Sequence, residues 1–109
     1  QQRRQLLEAA EAFTCALRQD PRFVGALFNL GVVHREVGDH QSATEDFRRI
    51  LQLNPENHGA LSLLGESLAE LGDMDGAVES LEQALRLDPT NRSARKDLER
   101  LRRAAGRTR

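Results

Sequence analysis

The chain has no tryptophan or tyrosine, one methionine, one cysteine and three prolines in 109 residues. A lone cysteine, Cys15, excludes an internal disulfide framework and fits a reducing compartment, so a cytoplasmic setting is expected. No stretch approaches the roughly 18 apolar residues of a membrane span. The start carries no cationic segment followed by an apolar run, the pattern of a secretory leader. An excess of one charge is missing too: 16 Lys and Arg stand against 17 Asp and Glu, a net of −1.

Chemistry is equally sparse. The three histidines, His34, His40 and His58, have no ligand spacing with one another or with Cys15, so neither a metal nor a cofactor is expected. His34 reads as a partly buried packing residue, and Cys15, beside Phe13 and Ala16, as a small core residue. Asp73-Met74-Asp75-Gly76 begins like a calcium loop but lacks the later carboxylates and the closing glutamate. Asn91-Arg92-Ser93 satisfies a glycosylation sequon, which matters only in a secreted protein. With no phosphate-cradling glycine loop, catalytic triad or nucleotide fingerprint, the chain is not expected to be an enzyme.

What the chain does have is a period. Pro21, Pro55 and Pro89 stand 34 residues apart. Sliding Val24–Asn57 onto His58–Asn91 leaves fourteen of thirty-four positions identical, including Leu27, Leu30, Gly31, Gly38, Asp39, Ala43 and Pro55 of the first copy. Chance gives about two or three at ordinary composition. A repeat of 20–50 residues marks a stacked architecture. Hydrophobic content of 39% then suits a thin, elongated core, and 30% charged residues suit its large surface.

Within each copy the apolar residues recur at helical spacing. Leu27, Leu30 and Val37 make one stripe, and Phe47, Ile50 and Leu51 lie on the next. Leu61, Leu64 and Leu68, then Leu81, Leu85 and Leu87, repeat the pair. Gly38-Asp39 and Gly72-Asp73 each join a residue suited to a left-handed helix end with an N-cap acceptor. One helix stops and another starts within a residue or two, which forces an antiparallel hairpin. Pro55 and Pro89 end the second helices, lacking an amide hydrogen and clashing with the preceding turn. Asn57 and Asn91, just beyond, can cap the next helix. Mid-helix Gly31 and Gly65 cost about 1 kcal/mol each against alanine, so close helix approach is expected there.

These residues resemble the tetratricopeptide repeat (TPR) family, a 34-residue helix–turn–helix unit. Leu27, Leu30-Gly31, Ala43, Phe47 and Pro55 fall on the family pattern, as do Leu61, Leu64-Gly65, Ala77, Leu81 and Pro89. Ala9, Phe13, Ala16 and Pro21 keep the same phase ahead of them. His34, Leu68 and Ile50 depart from it, which touches packing detail only. The resemblance implies an all-α solenoid of antiparallel hairpins with five to six helices. Residues 1–21 would be the second helix of a truncated leading unit, 24–57 and 58–91 full units, 92–105 a capping helix, and 106–109 a frayed tail.

The resemblance further implies that the first helix of each unit lines a concave groove for a partner peptide or helix. That groove would show Phe28, Asn29, Val32, Arg35 and Glu36, then Ser62, Leu63, Glu66 and Glu70, with Lys96 and Arg100 from the capping helix. A protein or peptide partner with apolar anchors and some basic character is expected. Some family members clamp the C-terminal carboxylate of heat-shock chaperones through lysine, arginine and asparagine. Asn29 matches one such position, but Gly59 and Leu63 stand where basic residues belong, so that clamp is absent.

Two other functions are open. The stripe Leu6, Ala10, Phe13 and Leu17, without a hairpin partner, would leave an apolar face through which two copies could pair as a homodimer. Alternatively, the module recruits substrate for a catalytic domain of a longer chain. The charge balance hides an asymmetry: residues 92–109 hold eight cations against Asp97 and Glu99, a net of +6, leaving −7 for residues 1–91. No aromatic interleaves those cations to stack bases, and they scatter around the helix. Nucleic acid is therefore not an expected partner; a solvated end complementing the acidic body is.

Overall fold

A computed structural model describes residues 2–107. Expectations about Gln1, Thr108, Arg109 and the Arg107 side chain fall outside the described residues. Six helices follow one another: α1 (Gln2–Gln19), α2 (Val24–Glu36), α3 (His40–Leu53), α4 (His58–Glu70), α5 (Met74–Leu87) and α6 (Arg92–Arg107). Each packs chiefly on its neighbours in sequence, as a stack of hairpins must.

The connections repeat with the sequence. Gly38 and Gly72 both sit at φ 88°, the left-handed conformation that closes a helix. The amide of Asp39 then donates to the His34 carbonyl, and that of Asp73 to the Leu68 carbonyl, at 2.8 and 2.9 Å. Each aspartate immediately starts the next helix, accepting from the Ser42 and Gly76 amides at 3.1 and 3.0 Å. Between units, the residue before each proline makes the turn. Asp20, Asn54 and Asp88 accept through their side chains from the amides of Arg22, Glu56 and Thr90, all at 3.1 Å. Asn57 and Asn91 cap α4 and α6 through the Ala60 and Ala94 amides. Phe23, at the same position ahead of α2, supplies no side-chain cap.

The hairpins close where the glycines predict. A methyl on Gly31 would lie 2.7 Å from the Phe47 ring, and one on Gly65 2.7 Å from Leu81. Those partners are fully buried with Leu27, Ala43, Ile50, Ala77 and Ala84. Helix α6 closes the core with Ala94, Leu98 and Leu101. His34 is half-buried and its Nδ1 meets Asp46 Oδ2 at 2.6 Å, tying α2 to α3. Burial raises the Asp46 pKa, and the His34 contact opposes that rise.

Three expectations need correction. Cys15 is exposed rather than part of the core, because α1 has a packing partner on one side only, α2. For the same reason the apolar stripe of α1 divides. Leu17 is 8% exposed and belongs to the core, with Ala10 and Phe13 packed partly against it. Leu6 is half-buried. Finally, α6 runs through Gly106 to Arg107 instead of fraying after residue 105. Ala104 and Ala105 are strong helix formers, and one glycine is too small a penalty to stop the helix before its last turn.

Candidate partner-binding groove

Helices α2, α4 and α6 occupy equivalent places in the period, and their shared side is the candidate site. Its apolar part is made by Phe28, Val32 and Leu63, all half-buried. The Phe28 ring stands edge-to-face on Phe47, centroids 6.0 Å apart at 66°. Its far edge reaches the start of α4, where a methyl on Gly59 would touch it at 3.5 Å. The Phe28 ring thus reaches from one unit to the next. Asn29 is exposed beside it.

The polar part joins residues of these three helices with the start of α3. Arg35, His40, Glu66, Glu70, Asp97 and Arg100 line one recess of about 240 Å3. Arg35 pairs with Glu66 Oε2 at 2.9 Å, and Arg100 with Asp97 Oδ1 at 3.3 Å. Burial pushes the Glu66 pKa above the ordinary carboxylate range. The adjacent Asp97 carboxyl pushes the same way, while Arg35 and Ser93 oppose it. Two ionised carboxylates can only accept, so neither satisfies the other. Asp97 Oδ2, Arg35 Nε and His40 Nδ1 are each buried without a hydrogen-bond partner among the described residues. Among those residues, no three His, Cys, Asp or Glu side chains converge as metal ligands, and no helix is long and apolar enough to cross a membrane.

Compared by sequence, none of the curated proteins matches this chain. The tetratricopeptide repeat family model does, over residues 1–57 and again over 33–92. The chain belongs to the tetratricopeptide repeat family. Solved TPR structures superpose closely. The first TPR of Spaghetti (RPAP3), bound to the HSP90 peptide SRMEEVD, is 22% identical with a TM-score of 0.90, covering 94% of this chain and 81% of that one. The Sgt2 TPR domain from Aspergillus fumigatus is 24% identical at 0.89, covering 97% and 72%. The Thermobaculum terrenum O-GlcNAc transferase, in a mutant form, is 29% identical at 0.81 over 88% of this chain, which spans only 18% of that enzyme.

On this TPR scaffold the expected groove residues separate into groups. Arg35, Glu66, Glu70 and Arg100 share the recess; Phe28, Val32 and Leu63 are half-buried and Asn29 exposed, and none of these four lines it. Ser62 is withdrawn: it is only 7% exposed, a small side chain on a helix flanked by α3 and α5. Glu36 lines a different hollow with Gln2, Arg3, Leu6 and Val37, where the end of α2 lies by the start of α1. Lys96 is exposed on α6 beside Glu99 and Arg103, outside the recess. Asp97 and His40 are additions. Asp97 lies 34 residues after Leu63, so the period already marked it as a groove position. His40 carries no such signal; it begins a second helix and reaches the recess from the side.

Proposed function

We propose that this TPR module is a non-catalytic protein–protein recognition unit that binds a peptide or helix of its partner across α2, α4 and α6. The observation carrying this reading is that three half-buried apolar side chains, Phe28, Val32 and Leu63, and a charged recess occur on these same helices. Apolar anchors supply affinity in such grooves, and a few polar groups fix register. The RPAP3 TPR binds an acidic peptide, SRMEEVD. Glu66, Glu70 and Asp97 here would repel acidic side chains, so the partner of this chain has different chemistry. The test is a pull-down with Phe28→Ala and Leu63→Ala combined. Truncating two anchors predicts loss of binding by tenfold or more, on the order of 2 kcal/mol, with the circular dichroism spectrum unchanged. Retained binding would move the site elsewhere.

A second reading, self-association, has its own support. Ala9, Phe13 and Ala16 of α1 are half-exposed. Their counterparts Ala43, Phe47 and Ile50, and Ala77, Leu81 and Ala84, are all 0% exposed beneath a first helix. A second copy covering α1 would bury the same residues. Recruitment of substrate to a catalytic domain would use the groove unchanged, in a longer chain.

A further inference from the structure

Within the groove, the recess formed by Glu66 and Asp97 has what its own surroundings do not satisfy. Asp97 lies on α6 with its side chain 16% exposed, and its Oδ2 is buried with no donor among the described residues. Glu66, on α4, faces it from a half-buried position and has Arg35 as its only ion-pair partner among those residues. Glu70, one turn along α4, stands at the helix C-terminus, where the carbonyl ends add negative potential. His40 approaches from α3 with its Nδ1 unpaired, and the buried Arg35 Nε likewise has no hydrogen-bond partner among the described residues. Counting Arg35 and Arg100 against three carboxylates leaves a net negative recess when His40 is neutral.

Arg100 shows what the site accepts. It contacts Asp97 Oδ1, from the same helix, and its side chain is 71% exposed. Such an exposed intrahelical pair is worth a few tenths of a kcal/mol, so a competing cation displaces it readily. The recess, at about 240 Å3, is below the 300–1,000 Å3 of ligand and cofactor pockets and of a size for one side chain. Convergent ligands for a metal ion are absent among the described residues. A planar guanidinium suits this geometry better than an ammonium: it is more weakly hydrated, and its fork can donate to two carboxylates at once.

We propose that the recess is an arginine seat: beside the Arg35 already paired with Glu66, a partner segment lays a guanidinium across the adjoining Glu66 and Asp97 carboxyls while its neighbouring apolar side chain lies on Leu63 and Phe28. This rests on the groove reading and specifies the partner's chemistry. Charge complementarity with this recess sets the specificity. Burial is the main cause of the raised Glu66 pKa and the adjoining Asp97 carboxyl the second; a bound cation would relieve the second.

The test uses the whole chain and two synthetic peptides, acetyl-Ala-Leu-Arg-Leu-Ala-amide and its glutamine counterpart, followed by NMR of backbone amides and side-chain carboxyl carbons. The arginine peptide is expected to move the Glu66 and Asp97 carboxyl signals and to bind about tenfold or more tightly than the glutamine peptide. The difference should shrink as salt is added. Asp97→Asn, which keeps the side-chain shape, should abolish the preference while leaving the amide spectrum of α1–α3 in place. Equal shifts from both peptides along Phe28 and Leu63 would overturn the arginine seat while keeping the groove. No shift at Glu66 and Asp97 with the arginine peptide would also overturn it, the groove itself being judged by the Phe28 and Leu63 pull-down.

Discussion

At the scale of single residues, the tightest constraints are the two mid-helix glycines. Gly31 faces the Phe47 ring, and Phe47 has no exposed surface through which to retreat. Gly31→Ala should therefore destabilise the fold by about 1–3 kcal/mol, the usual cost of overpacking. In a domain of this size each kcal/mol lowers the melting temperature by about 4–8 °C, which differential scanning calorimetry resolves. Gly59→Ala is the control of opposite sign. Its added methyl meets only ordinary contacts at 3.5 Å, so the better helix propensity of alanine should dominate, by about 0.5 kcal/mol. Equal losses in the two variants would contradict the packing account. The glycines were legible in the sequence because a mid-helix glycine needs a reason, and repetition at 34 residues supplied one. Ser62 was not. It shares its place in the period with Phe28, yet is buried where Phe28 is half-open. The period gives phase around the helix, not the depth to which neighbouring helices cover it.

At the scale of elements, turns and caps were read correctly because short polar side chains beside glycine and proline have few roles. Asp39, Asn57, Asp73 and Asn91 all cap as expected. Asp39 is held below its ordinary pKa by its hydrogen bonds with Ser42. The seam between α4 and α6 was less legible, since the Glu66–Asp97 contact joins residues 31 apart and depends on how α6 docks. That seam carries a pH signature. The folded-state pKa of Glu66 is raised, so its stabilising contribution is complete below the unfolded value of 4.5 and is lost as pH rises through the folded one. On acidification from pH 7 toward about 5, the native chain should gain stability relative to Glu66→Gln, which has no proton to bind there. Thermal melts across that window check it; a constant difference between the two proteins would contradict the assigned cause.

At the scale of the whole molecule, the chain is an extended stack. Its principal extents are 47, 31 and 21 Å and its radius of gyration is 14.5 Å, against about 13 Å for a compact domain of this length. An elongated stack exposes faces at its ends, and α1 is one of them. If α1 mediates pairing, Phe13→Asp should convert a dimer to a monomer by light scattering; an unchanged mass would remove α1 from the interface. The recognition surface itself is most directly located by cross-linking. With a photoreactive phenylalanine at Val32 in the groove, and in a second protein at exposed Glu45 on α3, partner capture should occur from position 32 and not from position 45. Capture from position 45 with none from position 32 would contradict the central claim that α2, α4 and α6 form the binding face.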